Sequence, residues 1–481
     1  MRSYVFLSNF AICSAFIGRF MLKFNDFGRV EELATPFWYY DMDVFRKTVK
    51  LAASLSERYG IGAHYALKAN VEPRLVSYIA SKGFGADCVS GNEVKYAVES
   101  GFARSSIVFA GVGKSDKEIS DALDMGIGCF NVESLMEMQV IDAIAASKGV
   151  RANVSLRINP NIDAHTHRYV TTGLYENKFG ISRHEFEAAI DILKGSKALD
   201  FKGLHFHIGS QITDVEPVYS LECERAVEIV EWFEAHGMEV GSIDLGGGLG
   251  VDYDEPDENP VPDFEKWFSI IDRKLRRRPE QSVSIEPGRS MVAQCGSLIT
   301  RVLFVKSGET KTFLIMDAGM NDLIRPALYG AYHKIENLSA HYARTESAGL
   351  SAKFSSAETS ESEDLTRHHQ MPAGEQRSGG LALGCARRPD RPLEKGVGGI
   401  ETNGGIENDI VNCSQSERLY DIVGPVCESS DVWGEGRELP YSKRGDILAI
   451  RSTGAYGSVM SSRYNLRNLA PAVFSDDLKL K

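Results

Sequence analysis

His64-Tyr65-Ala66-Leu67-Lys68-Ala69-Asn70 is a short apolar run that delivers one lysine and then stops at a polar turn. A lysine inside a strand-like segment must either snorkel to water or face a polar cavity, because burying an unpaired ammonium costs several kcal/mol. Taken alone, the segment reads better as the end of an edge strand with a surface lysine. Its neighbours decide the matter. Glycine-rich, acidic, arginine and cysteine segments follow that make joint sense only around a cofactor, so Lys68 is a candidate Schiff-base lysine.

Outward from this stretch the chain alternates. Upstream, Thr35-Pro36-Phe37-Trp38-Tyr39-Tyr40-Asp41 reads as an aromatic strand, and Val44 to Tyr59 as an amphipathic helix. Downstream, strands are expected at Gly85–Val89, Ser106–Ala110, Gly128–Val132, Asn153–Asn159, Gly203–His207, Ser242–Leu245 and Ser282–Glu286, with amphipathic stretches between them. Strand and helix alternating over about 250 residues predict an α/β protein with a parallel sheet, and a (β/α)8 TIM-like barrel is the commonest solution at that length. Lys68, Asp87, His207, Gly246 and Glu286 fall at the C-terminal strand ends, where barrel active sites lie.

From Leu298 the texture becomes β-rich, as in Leu298–Val305, Lys311–Met316 and Asp446–Ile450, which predicts a second, mostly antiparallel β-domain. The resulting division is a leader or extension (1–20), an N-terminal segment joining the β-domain (21–44), the barrel (45–297), the β-domain (298–336 and 418–481) and an insertion (337–417). Within the insertion, Ser355–Glu363 and Gly398–Gly405 lack apolar periodicity, so it is expected to be disordered and dispensable.

At 481 residues the chain exceeds what one hydrophobic core usually supports. A net charge of −12 argues against nucleic acid or an anionic membrane as the main partner and favours an enzyme for small molecules. Eight cysteines are scattered without a CxxC pair, which suits free thiols in a reducing, cytoplasmic setting and gives no metal site. Residues 1–20 are apolar with Arg2 near the start, like a signal peptide, but Ser8-Asn9 and Ser14 interrupt the run and no small-residue cleavage site follows. Translation is therefore expected to begin at Met21, or the leader to be dispensable.

Four motifs carry chemistry. Asp244-Leu245-Gly246-Gly247-Gly248-Leu249-Gly250 ends a strand in glycines whose backbone N–H groups can approach a phosphate. It lacks the dinucleotide spacing and the Walker lysine, which points to a single-phosphate cofactor. Glu286-Pro287-Gly288-Arg289 sets a carboxylate and a guanidinium at another strand end. A carboxylate that keeps a pyridine nitrogen protonated makes the ring an electron sink, as decarboxylation requires, and Arg289 suits bidentate pairing with a carboxylate or phosphate. An ion pair at a barrel rim would explain either residue alone. In His205-Phe206-His207-Ile208-Gly209-Ser210-Gln211 the two histidines share a strand face; one is expected to be a packed core histidine, while His207 can stack on a cofactor ring and Ser210 donate to its phosphate. Cys427-Glu428-Ser429-Ser430-Asp431 follows the turn Val423-Gly424-Pro425, so its thiol lies on a loop where it can donate a proton, unlike Cys88, Cys129 and Cys223, which read as inert.

Together with Arg325-Pro326-Ala327-Leu328-Tyr329 and Gly454-Ala455-Tyr456-Gly457, these segments resemble the diaminopimelate decarboxylases, pyridoxal-phosphate enzymes of the alanine-racemase-like fold group, from about Thr35 to Ala472 except the insertion. The run Gly173–Gly180 matches them too. The resemblance implies decarboxylation of meso-2,6-diaminopimelate to L-lysine by a homodimer with shared sites. Lys68 would hold the cofactor; Asp87, His207, Ser210, Gly246, Gly247, Gly248, Glu286, Pro287, Gly288, Arg289 and Tyr456 would bind it. Arg289, Arg325, Tyr329, Glu428 and Tyr456 would bind substrate, and Cys427 would reprotonate the α-carbon, with the β-domain residues reaching across from the partner. The rivals are a decarboxylase of ornithine, arginine or carboxynorspermidine, whose distal amine would call for an acid where this chain has two arginines, and a non-catalytic pyridoxal-phosphate barrel, which would lack the β-domain. Alanine racemases place an arginine where this chain has Glu286.

Overall fold

The computed structural model describes residues 24–160, 162, 178–344 and 417–479. Eight parallel strands close into a barrel: β2 (Gly62–Ala66), β3 (Gly85–Cys88), β4 (Ile107–Phe109), β5 (Cys129–Val132), β6 (Ala152–Arg157), β7 (Leu199–His205), β8 (Ser242–Asp244) and β9 (Ser282–Ile285), the last pairing back with β2. Most of these short strands are apolar and buried on both faces, as parallel strands covered by helices must be. The helices between them start where Ser-x-x-Glu signals stand. Ser90, Ser115 and Ser134 each accept from the backbone N–H three residues on, and Glu118 returns a bond to the N–H of Ser115, which satisfies donors the first turn leaves orphaned. On the outer ring, Trp267 is wedged between Tyr219 and Phe268, and all three are fully buried. Each large side chain so covered contributes about 2–3 kcal/mol of hydrophobic stabilisation.

The second layer is an eight-stranded sheet. Its main path runs β12 (Ile335–Asn337), β15 (Ile447–Ile450), β10 (Gly296–Ser307), β11 (Thr312–Met316), β13 (Glu417–Val423), β14 (Val432–Pro440). β1 (Phe37–Tyr40) joins it antiparallel to β10 and parallel to β16 (Ala472–Phe474). Only β1–β16 and β11–β13 are parallel, so the sheet is mostly antiparallel, as expected. The aromatic strand thus ties the N-terminal segment into this sheet, with Trp38, Tyr39 and Tyr40 buried.

Two expectations change. The insertion was expected to begin at 337, yet Asn337 ends β12 with its amide buried against Ser442 and Asp446, and residues 338–344 are helical with Leu338 in the core. Satisfied polar contacts, rather than apolar periodicity, hold this edge. Second, β7 ends at His205, so His207 lies beyond the strand. The leader, Gly173–Asn177 and residues 345–416 lie outside the described residues. Among the described residues no helix is long and apolar enough to cross a membrane, and Cys88, Cys129, Cys223, Cys295 and Cys427 are free thiols.

Candidate active site

Lys68 stands two residues past the end of β2, in the single 3-10 turn Leu67–Ala69 rather than in the strand. Asn70 makes the turn. Its amide donates to Gly454 O (2.7 Å) and Tyr40 Oη (3.0 Å), its Oδ1 accepts from Glu72 N, and Tyr65 Oη donates to its carbonyl (2.8 Å). The lysine is thereby aimed into a cavity of about 1160 Å³ at the C-terminal mouth of the barrel. Its Nζ lies 3.1 Å from Asp87 Oδ2 at the end of β3. Burial pulls the ammonium pKa down, but the charges of Asp87, Tyr456 and Glu286 more than offset it, so the pKa is raised and Lys68 rests as a cation.

Glu286, just past β9, is 5% exposed and held at both oxygens: His205 Nε2 lies 3.1 Å from Oε2, and Asn131 Nδ2 donates to Oε1 at 3.4 Å. Burial and the nearby Asp87 raise its pKa, against the pull of His205. Nitrogen and carboxylate atoms of His205, Asp244 and Glu286 converge within 4.8 Å. Asp244 is occupied by Gly246 N (2.8 Å) and Ser284 Oγ (2.9 Å), leaving His205 to share a proton with Glu286. Both histidines of the His205-Phe206-His207 segment therefore line the cavity. His207, half-buried and beside cations, is driven well below the usual imidazole range, first by desolvation and then by Lys68; it stays neutral and accepts from Gly247 N at 3.2 Å.

The glycine loop needs its glycines. A Cβ on Gly246, whose φ is +66°, would lie 2.3 Å from Phe206 O, and one on Gly247 2.2 Å from Glu286 O. Beside the loop, Arg289 donates to Ser210 Oγ through Nη2 (2.9 Å) and Nε (3.3 Å), and to Tyr253 Oη through Nη1 (2.7 Å). Arg325 donates to the same phenol at 2.9 Å and to His333 Nε2 at 3.3 Å. Tyr456 comes from the sheet of its own chain: its N–H donates to Ala69 O (2.8 Å) and its ring lies 4.9 Å from the Arg289 guanidinium.

Of the residues picked out in the sequence, Lys68, His207, Ser210, Glu286, Arg289, Arg325, Tyr329 and Tyr456 line this one cavity, and Asp87 touches it through Lys68. Gly246, Gly247 and Gly248 back its wall against His207, Glu286 and Ile212. Pro287 O accepts from Ala66 N, and Gly288 packs on Ala66 and Ala69 beneath the lysine turn. Cys427 and Glu428 are not among the lining residues; Cys427 is exposed and Glu428 accepts from Tyr464. Tyr456, expected to reach across from a partner, instead completes its own chain's site, because the Asn70–Gly454 bond clamps its loop to the barrel. Sequence reasoning missed Tyr253, Asn131 and the partnership of His205 with Glu286. The cavity fits pyridoxal 5′-phosphate: an amine, a held carboxylate, a neutral flat imidazole and a Cβ-free loop converge there, and Asp87 Oδ1 and His205 Nδ1 are buried without a hydrogen-bond partner among the described residues.

Residues 43–293 match the family of the pyridoxal-dependent decarboxylase, pyridoxal binding domain, and residues 400–454 that of its C-terminal sheet domain. The chain is 42% identical to the diaminopimelate decarboxylase of Bacteroides thetaiotaomicron over 93% of its own length and 97% of the relative's. It is 35% identical to the Helicobacter pylori J99 enzyme of that name, over 93% and 92%. A crystal structure of H. pylori diaminopimelate decarboxylase complexed with L-lysine superposes with a TM-score of 0.71 at 34% identity, covering 94% of both chains. One from M. jannaschii, also with L-lysine, gives 0.71 at 28%, over 93% and 89%. A lysine turn, a held glutamate and a glycine cradle on a closed barrel, in a chain this similar to these proteins along nearly its whole length, place it in the diaminopimelate decarboxylase family of pyridoxal-dependent decarboxylases.

Proposed function

We propose that the protein removes CO2 from meso-2,6-diaminopimelate to give L-lysine, with pyridoxal 5′-phosphate held at Lys68. The observation that carries the substrate is the arginine pair. Arg289 and Arg325 are 6% and 8% exposed, and among the described residues no carboxylate lies within ion-pair distance of either. Buried guanidiniums want an anion, and a substrate with a second carboxylate supplies one, whereas the distal amine of ornithine would meet repulsion.

When bound, pyridoxal 5′-phosphate supplies a carbonyl for the amino group and a ring that accepts the electron pair left by the departing CO2. Lys68 would hold that carbonyl, with Asp87 keeping the free ammonium aimed at it. Glu286, gripped by Asn131 and His205, would keep a ring nitrogen protonated. His207, held neutral, would lie against the ring, and Gly246, Gly247 and Gly248 with Ser210 would bind the phosphate; Pro287 and Gly288 keep the lysine turn in place behind it. Arg289, Arg325, Tyr329 and Tyr456 would hold the substrate's distal end.

Cys427 Sγ would return a proton to the carbon that lost CO2, with Glu428 at the substrate beside it. Since their loop stands away from their own chain's cavity, both would serve the site of a second copy in a homodimer. Scattered free thiols suit a cytoplasmic enzyme. Arg325→Ala tests the substrate reading. Losing a charge-assisted bond worth roughly 1.5–3 kcal/mol should raise KM for meso-diaminopimelate about 10- to 150-fold with kcat much less affected. An unchanged KM would remove Arg325 from the substrate.

A further inference from the structure

Tyr253 lies on the loop that follows the glycine run, and its hydroxyl oxygen is the common acceptor of both arginines, at 2.7 Å from Arg289 Nη1 and 2.9 Å from Arg325 Nη1. Two like charges thus sit within two hydrogen-bond lengths of each other in a water-poor wall. A phenol oxygen has two lone pairs, enough to accept from both while its own proton points elsewhere. The ring is fixed as well. Its edge meets His333 at 5.1 Å and 89°, and the Arg325 guanidinium lies 5.4 Å from its centre. His333 is in turn held neutral: Nδ1 donates to Arg451 O (2.9 Å), so Nε2 can accept from Arg325.

The loop's place is imposed from the sheet. Ser452 Oγ donates to Asp252 O (3.3 Å), Lys334 Nζ pairs with Glu255 (2.6 Å), and the buried Arg451 pairs with Asp257. These anchors flank Tyr253 on both sides, so its hydroxyl is set by contacts between the two domains and the guanidiniums conform to it.

We propose that Tyr253 is the positioning residue behind this site's demand for a second carboxylate: it gathers Arg289 and Arg325 onto one side of the cavity so that their remaining N–H groups form a single cationic face. The inference rests on the arginine pair being the distal-carboxylate site. Arg325 keeps Nε and Nη2 without partners among the described residues, the two edges a carboxylate would engage. The electrostatics agree: burial would raise the phenol's pKa, yet the two guanidiniums bring it below its ordinary value, so the oxygen acts as a partial counter-ion.

The experiment compares the cofactor-loaded wild type, Tyr253→Phe and Arg325→Ala. Calorimetry measures binding of L-lysine, which carries one carboxylate, and of cadaverine, which carries none; steady-state assays give kcat and KM for meso-diaminopimelate. Tyr253→Phe keeps the ring and loses only the hydroxyl, so it should weaken L-lysine binding and raise KM about tenfold each, with kcat within about twofold and cadaverine binding unchanged. Weakened L-lysine binding in Arg325→Ala alone would overturn the role of Tyr253 and leave the carboxylate site standing. L-lysine binding unchanged in both variants would overturn the carboxylate site and this proposal with it.

Discussion

His333 shows what a buried charge beside the site costs. Burial and then the Arg325 guanidinium push its pKa down from 6.5 to about 3. Between those values the unfolded chain binds a proton that the folded chain refuses, so this residue's contribution is complete above pH 6.5 and is lost as the pH falls toward 3. The slope is at most about 1.4 kcal/mol per pH unit. His333→Gln should lower Tm at neutral pH through the lost bonds, yet make the decline of Tm from about pH 6.5 to 5 shallower than in wild type, by up to one proton's worth. A parallel decline would show that His333 does not titrate in this way. At this scale the sequence disclosed Lys68 and Glu286, because a polar residue closing an apolar run is conspicuous, whereas Arg325 came only with the family resemblance. Tyr253 carried no such mark: an aromatic on a loop is ordinary until two arginines from distant segments, 36 and 72 residues away, are seen to converge on its oxygen. His205 failed for a related reason, since alternation gives the face of a strand but not the partner across the barrel.

Among the elements, the glycine loop is the most exacting. Gly246→Ala forces a Cβ toward Phe206 O and a side chain into a left-handed backbone. Such strain costs on the order of 1–3 kcal/mol, so the variant should melt several degrees lower and lose the visible absorbance of its bound cofactor more readily on dialysis. A variant with wild-type melting and retention would mean that the loop has slack which the structure does not show. The alternation of strands and helices was legible because most apolar runs are separated by capped helices with serine or aspartate at their starts and glycine at several of their ends. What blurred were the terminal residues, such as His207 and Lys68, which belong to turns fixed by long-range bonds like Asn70 to Gly454. The short strand β12 was lost for the same reason, its edge being held by Asn337 reaching Ser442 and Asp446, more than a hundred residues away.

The whole molecule brings barrel and sheet together at one mouth, yet leaves Cys427 on an exposed loop apart from its own cavity. On the shared-site proposal, inactive Lys68→Ala chains mixed with inactive Cys427→Ala chains should recover part of the activity, because one site of each heterodimer then has both residues intact. No recovery despite proven subunit exchange would place thiol and lysine on one chain. The barrel with its added sheet was readable from periodicity; whether copies pair was not, since nothing in one chain's pattern says whose cavity a loop serves. The central claim, a decarboxylase chosen for dicarboxylates by paired arginines, is met most directly by measuring CO2 release from meso-diaminopimelate, ornithine and arginine with pyridoxal 5′-phosphate present. The account predicts CO2 and L-lysine in equal amounts from meso-diaminopimelate and rates lower by orders of magnitude for the other two; comparable or faster release from ornithine or arginine would contradict it.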